Sequence, residues 1–267
     1  MFDNICKFLA ENFPDDFAQW LIGSPVRLSR LSPSELSNQP IRADSLILLQ
    51  SNELVLHIEF QTNPDERMGF RMLDYRVRVY RRFPRKRMRQ VVVYLAQTSS
   101  ELVYQDRFEL ENTIHRYEVI RLWEQPPEPF LQSLGLLPFA VLSQTDNPTM
   151  VLSRVAEVVN QITDKQVQSN LAAASGILAG LVLDKSLIKR FFRSDIMKES
   201  VIYQEIYQEA EEKGILKGKI EGKIEGKQEK AEEVALNLLR MGLNLEQIVQ
   251  ATELTLEQVQ SLQRQLD

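Results

Sequence analysis

The strand-length run Leu54-Val-Leu-His-Ile-Glu-Phe-Gln61 constrains this chain more than any other segment. Along a strand, successive side chains point to opposite faces. Leu54, Leu56, Ile58 and Phe60 therefore share an apolar face that must pack on a core, while His57, Glu59 and Gln61 share the other. An acid, an amide and an imidazole on one face suit the lining of a cleft. The preceding run, Ser45–Gln50, is also of strand length, and Ser51-Asn52 reads as the two-residue turn of a hairpin. Asp44 and Glu59 then fall at the ends of adjoining strands. Spacing alone leaves two readings open, a solvated strand face, which it favours, and a convergent carboxylate pair; the clean apolar face beside Glu59, the adjoining strands and the basic helix that follows support the pair. Such a pair is a hard-oxygen site suited to Mg²⁺. A cation held there activates water and stabilises charge on a phosphodiester.

The remaining pattern predicts an α/β core over residues 1–125. Residues 1–13 read as an amphipathic helix ended by Pro14, Asp15–Ile22 as a further turn, and Pro25–Pro40 as a loop. After the hairpin, a helix is expected from Asp65 to about Phe83, with Met68, Met72, Val79 and Phe83 at helical spacing and Pro84 as its breaker. Gln90–Ala96 reads as a buried strand and Tyr117–Trp123 as another. Residues 126–197 open on Pro126, Pro127 and Pro129 and read as a helical region packed on the core, with helices at Met150–Ile162, Val167–Leu183 and Lys185–Arg193.

Residues 198–267 read as a charged, low-complexity helical arm and a C-terminal helical hairpin. Between Lys217 and Lys227 the arm repeats Gly-Lys-Ile-Glu with a period of four. Each glycine weakens a helix by about 1 kcal/mol relative to Ala. The period places Gly218, Gly222 and Gly226 on one drifting stripe, so a solvated arm and a close helix–helix contact are both open, the former favoured. Asn244-x-x-Gln247 and Thr255-x-x-Gln258 are capping-box starts for helices at Leu245–Ala251 and Leu256–Gln265. Neither helix is basic, which favours self-association or tail capping over a DNA-reading helix-turn-helix. A homodimer through this arm is expected.

A net charge of −5 hides a strong asymmetry: Arg71 to Arg89 carries nine basic residues against the single acid Asp74. Arg71, Arg78 and Arg82 share a helical face with Tyr75, and Arg85-Lys86-Arg87 follows at once. One reading is a surface that grips nucleic-acid phosphates without reading sequence. The other is a solvated face whose arginines pair with the chain's acids. The adjoining basic loop favours DNA. The sole cysteine, Cys6, rules out an intrachain disulfide and a Cys-based zinc site and fits a reducing cytoplasm. No signal-peptide pattern opens the chain, and the longest apolar run, Leu171–Leu183, is too short to span a bilayer comfortably, so no membrane partner is expected. No P-loop, nucleophile elbow or His-rich zinc motif is present.

With these residues in place, the sequence resembles the PD-(D/E)XK nuclease superfamily and, more narrowly, the recombination-promoting nuclease/putative transposase family. The likeness rests on Arg42-Ala43-Asp44, on Leu56-His57-Ile58-Glu59-Phe60-Gln61, and on Met68, Arg71-Met72 and Tyr75. It covers about residues 1–125, with the Gly-Lys-Glu tail similar in style. The resemblance implies a restriction-endonuclease-like αβββαβ core, a mixed central sheet flanked by helices, and Mg²⁺-dependent (or Mn²⁺-dependent) DNA endonuclease activity linked to recombination or a mobile element. Asp44, Glu59 and the Phe60 backbone carbonyl would be metal ligands. Asp44, Glu59 and Gln61 would be catalytic, with Glu11 and His57 as accessory candidates and His57 more simply a hydrogen-bond partner of a carboxylate. Arg71, Tyr75, Arg78, Arg82, Arg85, Lys86 and Arg87 would hold DNA. Two departures stand out: Gln61 occupies the lysine position, offering dipoles in place of a charge, and Ala43 replaces the motif's proline. The alternative is an inactive nuclease fold kept as a nucleic-acid-binding or oligomerising module.

Overall fold

The computed structural model describes residues 2–24, 26–31, 46–192 and 194–264. Two helices open it, α1 (Phe2–Asn12) and α2 (Pro14–Ile22), and the strand pair β1 (Ser29–Arg30) and β2 (Leu46–Gln50) follows. Strand β3 (Leu54–Gln61), helix α3 (Met68–Arg82) and strand β4 (Arg87–Tyr94) come next. A small hairpin, β5 (Arg107–Leu110) and β6 (Thr113–Arg116), precedes β7 (Glu118–Arg121). The main sheet runs β1-β2-β3-β4-β7 and is mixed: β2 is antiparallel to β1 and β3, while β3/β4 and β4/β7 are parallel. Joining parallel neighbours requires a crossover, and α3 supplies it between β3 and β4.

The alternation in β3 is realised from Leu56 onward, while Leu54 at the start of the strand is half-buried and stays outside the large core. Leu56, Ile58 and Phe60 enter the large core together with Ile5 and Leu9 of α1, Phe17 of α2, and Val91 and Val93 of β4. Phe60 stacks on Phe139 at 5.4 Å between ring centroids, and Phe17 sets its edge against both rings. β4 is apolar on both faces because it is buried on both, as a central parallel strand must be: Val92 and Tyr94 face the α3 side.

Several boundaries move. The hairpin tip is Asn52-Glu53, one residue later than expected, because the Ser51 N–H donates to the Leu54 carbonyl and the Ser51 hydroxyl accepts from the Leu54 N–H. Asp65 lies before α3 rather than in it, accepting the Arg67 N–H, while the Phe83–Pro84 end falls as the sequence indicates. The expected strand at Tyr117–Trp123 is shorter, since Leu122–Glu124 turns into 3-10 geometry. The β5–β6 hairpin was not expected. Its strands are largely exposed and lack a clean apolar alternation, and its turn puts Glu111 at φ +50°.

A helical layer closes the large core: α4 (Glu128–Leu131), a 3-10 segment at Leu137–Leu142, α5 (Pro148–Asn160), α6 (Lys165–Ala179), α7 (Lys185–Phe191) and α8 (Ser194–Lys198). The 40-residue helix α9 (Val201–Arg240) follows, then α10 (Leu245–Thr252) and α11 (Leu256–Arg264). Met1–Ile206 forms one compact unit and Tyr207–Asp267 a second. Within the second, Ala235, Ile248, Leu254, Val259 and Leu262 make a small core. Both capping boxes form, Asn244 with Gln247 and Thr255 with Gln258. Gly242 takes φ +79° just beyond α9, where the left-handed conformation favours glycine. Among the described residues no helix is long and apolar enough to cross a membrane.

Candidate functional site

His57, Glu59 and Gln90 are fully or nearly fully buried polar residues on the sheet face that α3 covers. Two apolar clusters flank them beneath that helix, one around Val55, Tyr75 and Val79, the other around Met72, Val92 and Tyr94. The expected cleft is therefore roofed. Alternation along β3 put an acid and an imidazole on one face, and the crossover helix then closed over it. Burying such groups unpaired costs about 1–3 kcal/mol each by mutational measures, and each one here has a partner.

The partners form a chain. The Gln90 side-chain N–H donates to the Met72 carbonyl at 2.7 Å, which fixes that amide's orientation, and the same nitrogen lies 3.0 Å from His57 Nδ1. An amide N–H is a donor, so Nδ1 must accept and the ring proton must sit on Nε2. His57 Nε2 in turn lies 3.4 Å from Glu59 Oε1. Tyr75 sets its ring edge-on to His57 at 5.0 Å. On the other oxygen of Glu59, Arg71 Nη1 approaches to 3.7 Å, and its Nη2 donates to Asp65 at 2.6 Å. Arg71 thus joins a buried carboxylate to a half-buried one.

These charges perturb their neighbours. Burial, aided by the Glu59 carboxylate, pushes the Tyr75 phenol up to about 12. The backbone N–H of Arg67 holds Asp65 below the usual carboxylate range, and the Arg67 and Arg71 guanidiniums add to that. Burial, and then Asp65, raises Tyr94.

The predicted residues divide into those brought together and those kept apart. Glu59, His57 and Arg71 meet, and Gln61 ends the same strand, its carbonyl accepting the Leu95 N–H. Carbonyls alternate along a strand, so the Phe60 carbonyl points away from β4, toward the β2 side. Asp44 lies outside the described residues. Glu11 sits on α1, which packs on the opposite face of the sheet, and pairs with Arg30 at 3.0 Å. Tyr75, expected to contact nucleic acid, is buried against His57 because its position faces the sheet with Met72 and Val79. Arg78 pairs with Asp74 at 2.8 Å.

The basic loop is also displaced from the site. Arg87 pairs with Leu54 and Val92 with Glu59, so Arg85–Arg87 lies five strand positions from Glu59, about 16 Å at the usual rise. Lys86 donates to Gln50 at 2.7 Å and lies over the Phe83 ring, and the Arg82 guanidinium approaches the same ring.

Sequence reading missed Gln90 and Asp65. Gln90 was marked by being the one amide at the head of an otherwise apolar buried run, and Asp65 by its place just before a helix.

The set tests a divalent cation only in part. Glu59 and the Phe60 carbonyl are hard-oxygen donors of the right kind. Among the described residues, however, no cluster of three His, Cys, Asp or Glu side chains forms a ready metal site. No family model, curated protein or solved structure matches the chain.

Proposed function

We propose that this chain is a divalent-cation-dependent DNA endonuclease of the PD-(D/E)XK kind. The observation that carries the proposal is Glu59: a fully buried carboxylate near the end of the third strand, held by Arg71 and His57 inside an otherwise apolar layer. Buried ionic groups are weak devices for stability, so a buried carboxylate held by polar partners is a candidate functional group. The element order is a second support: α1, β1, β2, β3, α3 and β4 follow the αβββαβ order implied by the resemblance, with α2 as an addition.

In this reading Asp44, Glu59 and the Phe60 carbonyl would hold Mg²⁺ or Mn²⁺, and Gln61 would orient a water by hydrogen bonding. The cation would supply water activation and charge neutralisation at the phosphate. Arg71 would share Glu59 with the cation, and its guanidinium is also held by Asp65. The substrate would be cytoplasmic DNA, in a recombination or mobile-element context, and a homodimer through the C-terminal arm would bring two sites to one duplex.

The complete burial and ion pairing of Glu59 also favour a second reading, in which the fold is a non-catalytic nucleic-acid-binding or oligomerising module. Plasmid nicking decides between them, using purified chain with Mg²⁺, Mn²⁺ or EDTA beside Asp44→Ala and Glu59→Ala. Metal-dependent nicking lost in both variants is the expected result. Retained plasmid binding with no cutting by the intact chain establishes the module reading.

A further inference from the structure

Helix α3 carries a second apolar stripe on its outer surface. Its inner face, Met68, Met72, Tyr75 and Val79, is buried against the sheet. Phe70, Leu73, Val77 and Tyr80 fall within about 80° of arc on the other side. Phe70 and Tyr80 are 58% and 57% exposed, and Val77 is exposed as well. An amphipathic helix needs only one apolar face to fold, so this stripe has no role in the core. Phe108 of β5 props Phe70 edge-on at 5.8 Å and thereby fixes its ring.

The charge around the stripe says what covers it. Residues 65–89 hold ten basic side chains against three acidic ones. Two of the acids are engaged, Asp65 with Arg67 and Arg71 and Asp74 with Arg78, and the third, Glu66, is exposed just before the helix. Among the described residues Arg81, Arg85 and Arg87 have no ion-pair partner, and Arg81 and Arg85 are exposed beside or beyond Tyr80. Two copies meeting through this face would set surplus positive charge against surplus positive charge. A ligand with flat apolar faces and a regular negative charge meets both demands.

We infer that the outer face of α3 is a stacking track for single-stranded DNA, with bases on Phe70 and Tyr80 and phosphates on Arg81 and Arg85. Duplex DNA offers phosphates but keeps its base faces stacked inside. Unpaired strands bind by aromatic platforms in a basic groove. Phe70 and Tyr80 are ten residues apart, about 15 Å of helix, which spans about four nucleotides at stacked rise. The track runs from the Phe70 end, next to Arg71 and the Glu59 cluster, to the basic loop, and so connects the two regions that the sheet register separates. The inference rests on the nuclease reading for the fate of the strand but not for its binding.

The test is fluorescence anisotropy in EDTA with a labelled single-stranded oligodeoxynucleotide and the same sequence as duplex. The intact chain, Phe70→Ala, Tyr80→Ala and the conservative Phe70→Tyr are compared, with far-UV circular dichroism confirming that each is folded. Each alanine variant is expected to lose about 5- to 150-fold in single-strand affinity, the range of one base stack. Duplex affinity should hold in the variants, and Phe70→Tyr should bind like the parent. Equal losses for both DNA forms, unchanged single-strand affinity, or a shift from dimer to monomer with DNA binding intact would each overturn the track. Because hydrolysis is absent, a chain that cuts plasmid yet shows no aromatic dependence loses this inference and keeps the nuclease.

Discussion

The Gln90 side-chain amide lies 3.0 Å from His57 Nδ1 while the same nitrogen donates to the Met72 carbonyl at 2.7 Å. One backbone carbonyl on α3 therefore dictates, through an amide and an imidazole, that a proton points at Glu59. His57 acts as a positioning residue for that carboxylate, oriented by its second nitrogen as oriented histidines commonly are.

That relay predicts a single imidazole tautomer. Long-range proton–nitrogen NMR should show His57 protonated on Nε2 alone, and only one other histidine, His115, needs to be assigned. Gln90→Leu removes the donor to Nδ1 and should give a tautomer mixture, with a stability loss of about 1–3 kcal/mol for the groups left unpaired. A proton on Nδ1 in the intact protein would show that the relay runs the other way.

Arg71 and Glu59 should couple strongly. Arg71→Ala strips the guanidinium from a buried carboxylate and is expected to cost about 3 kcal/mol in urea denaturation. In a Glu59→Leu background the same substitution should cost far less, because no buried charge remains to be compensated. Additive losses across the double-mutant cycle would mean that the 3.7 Å contact contributes nothing.

Alkaline pH should loosen the layer beneath α3. Tyr75 ionises at about 12 in the folded chain against an ordinary value of 10, with burial the main cause. The neutral phenol is favoured by folding, so its contribution is complete below pH 10 and is lost as pH rises toward 12. Urea midpoints measured across that window should fall less steeply for Tyr75→Phe than for the parent. Tyr117, also pushed up to about 12 mainly by burial, adds to the parent's slope and remains in the variant.

The glycine stripe of α9 has a two-sided test. A Cβ at Gly218, Gly222 or Gly226 would meet nothing within 4 Å. If the arm is solvated, each change to Ala should stabilise the helix by about 1 kcal/mol, seen as a higher melting temperature by circular dichroism. If copies pack closely along the stripe, the same changes should weaken self-association in sedimentation equilibrium.

Much of this architecture was legible because its signals are local. The period-two pattern of Leu54–Gln61 determined which side chains enter the large core, and Met68, Met72 and Val79 determined the inner face of α3. Two capping boxes determined where α10 and α11 begin, each through contacts three residues apart. Pro84 determined where α3 stops. None of these needs a partner far along the chain.

Only the tertiary structure decided what faces what. The sequence placed Glu59 and His57 on one face but left open whether that face was a cleft or a roofed layer; α3, docking across two strands, closed it. The sequence ran the basic loop on directly from the helix, yet the parallel register of Arg87 with Leu54 carries it to the far end of the sheet from Glu59. Gln90 entered the cluster only because that register sets it beside His57. Periodicity is a property of neighbours in sequence. Register between strands joined by a crossover is set by the summed burial of both faces of the sheet, and that sum exists only once the chain has folded.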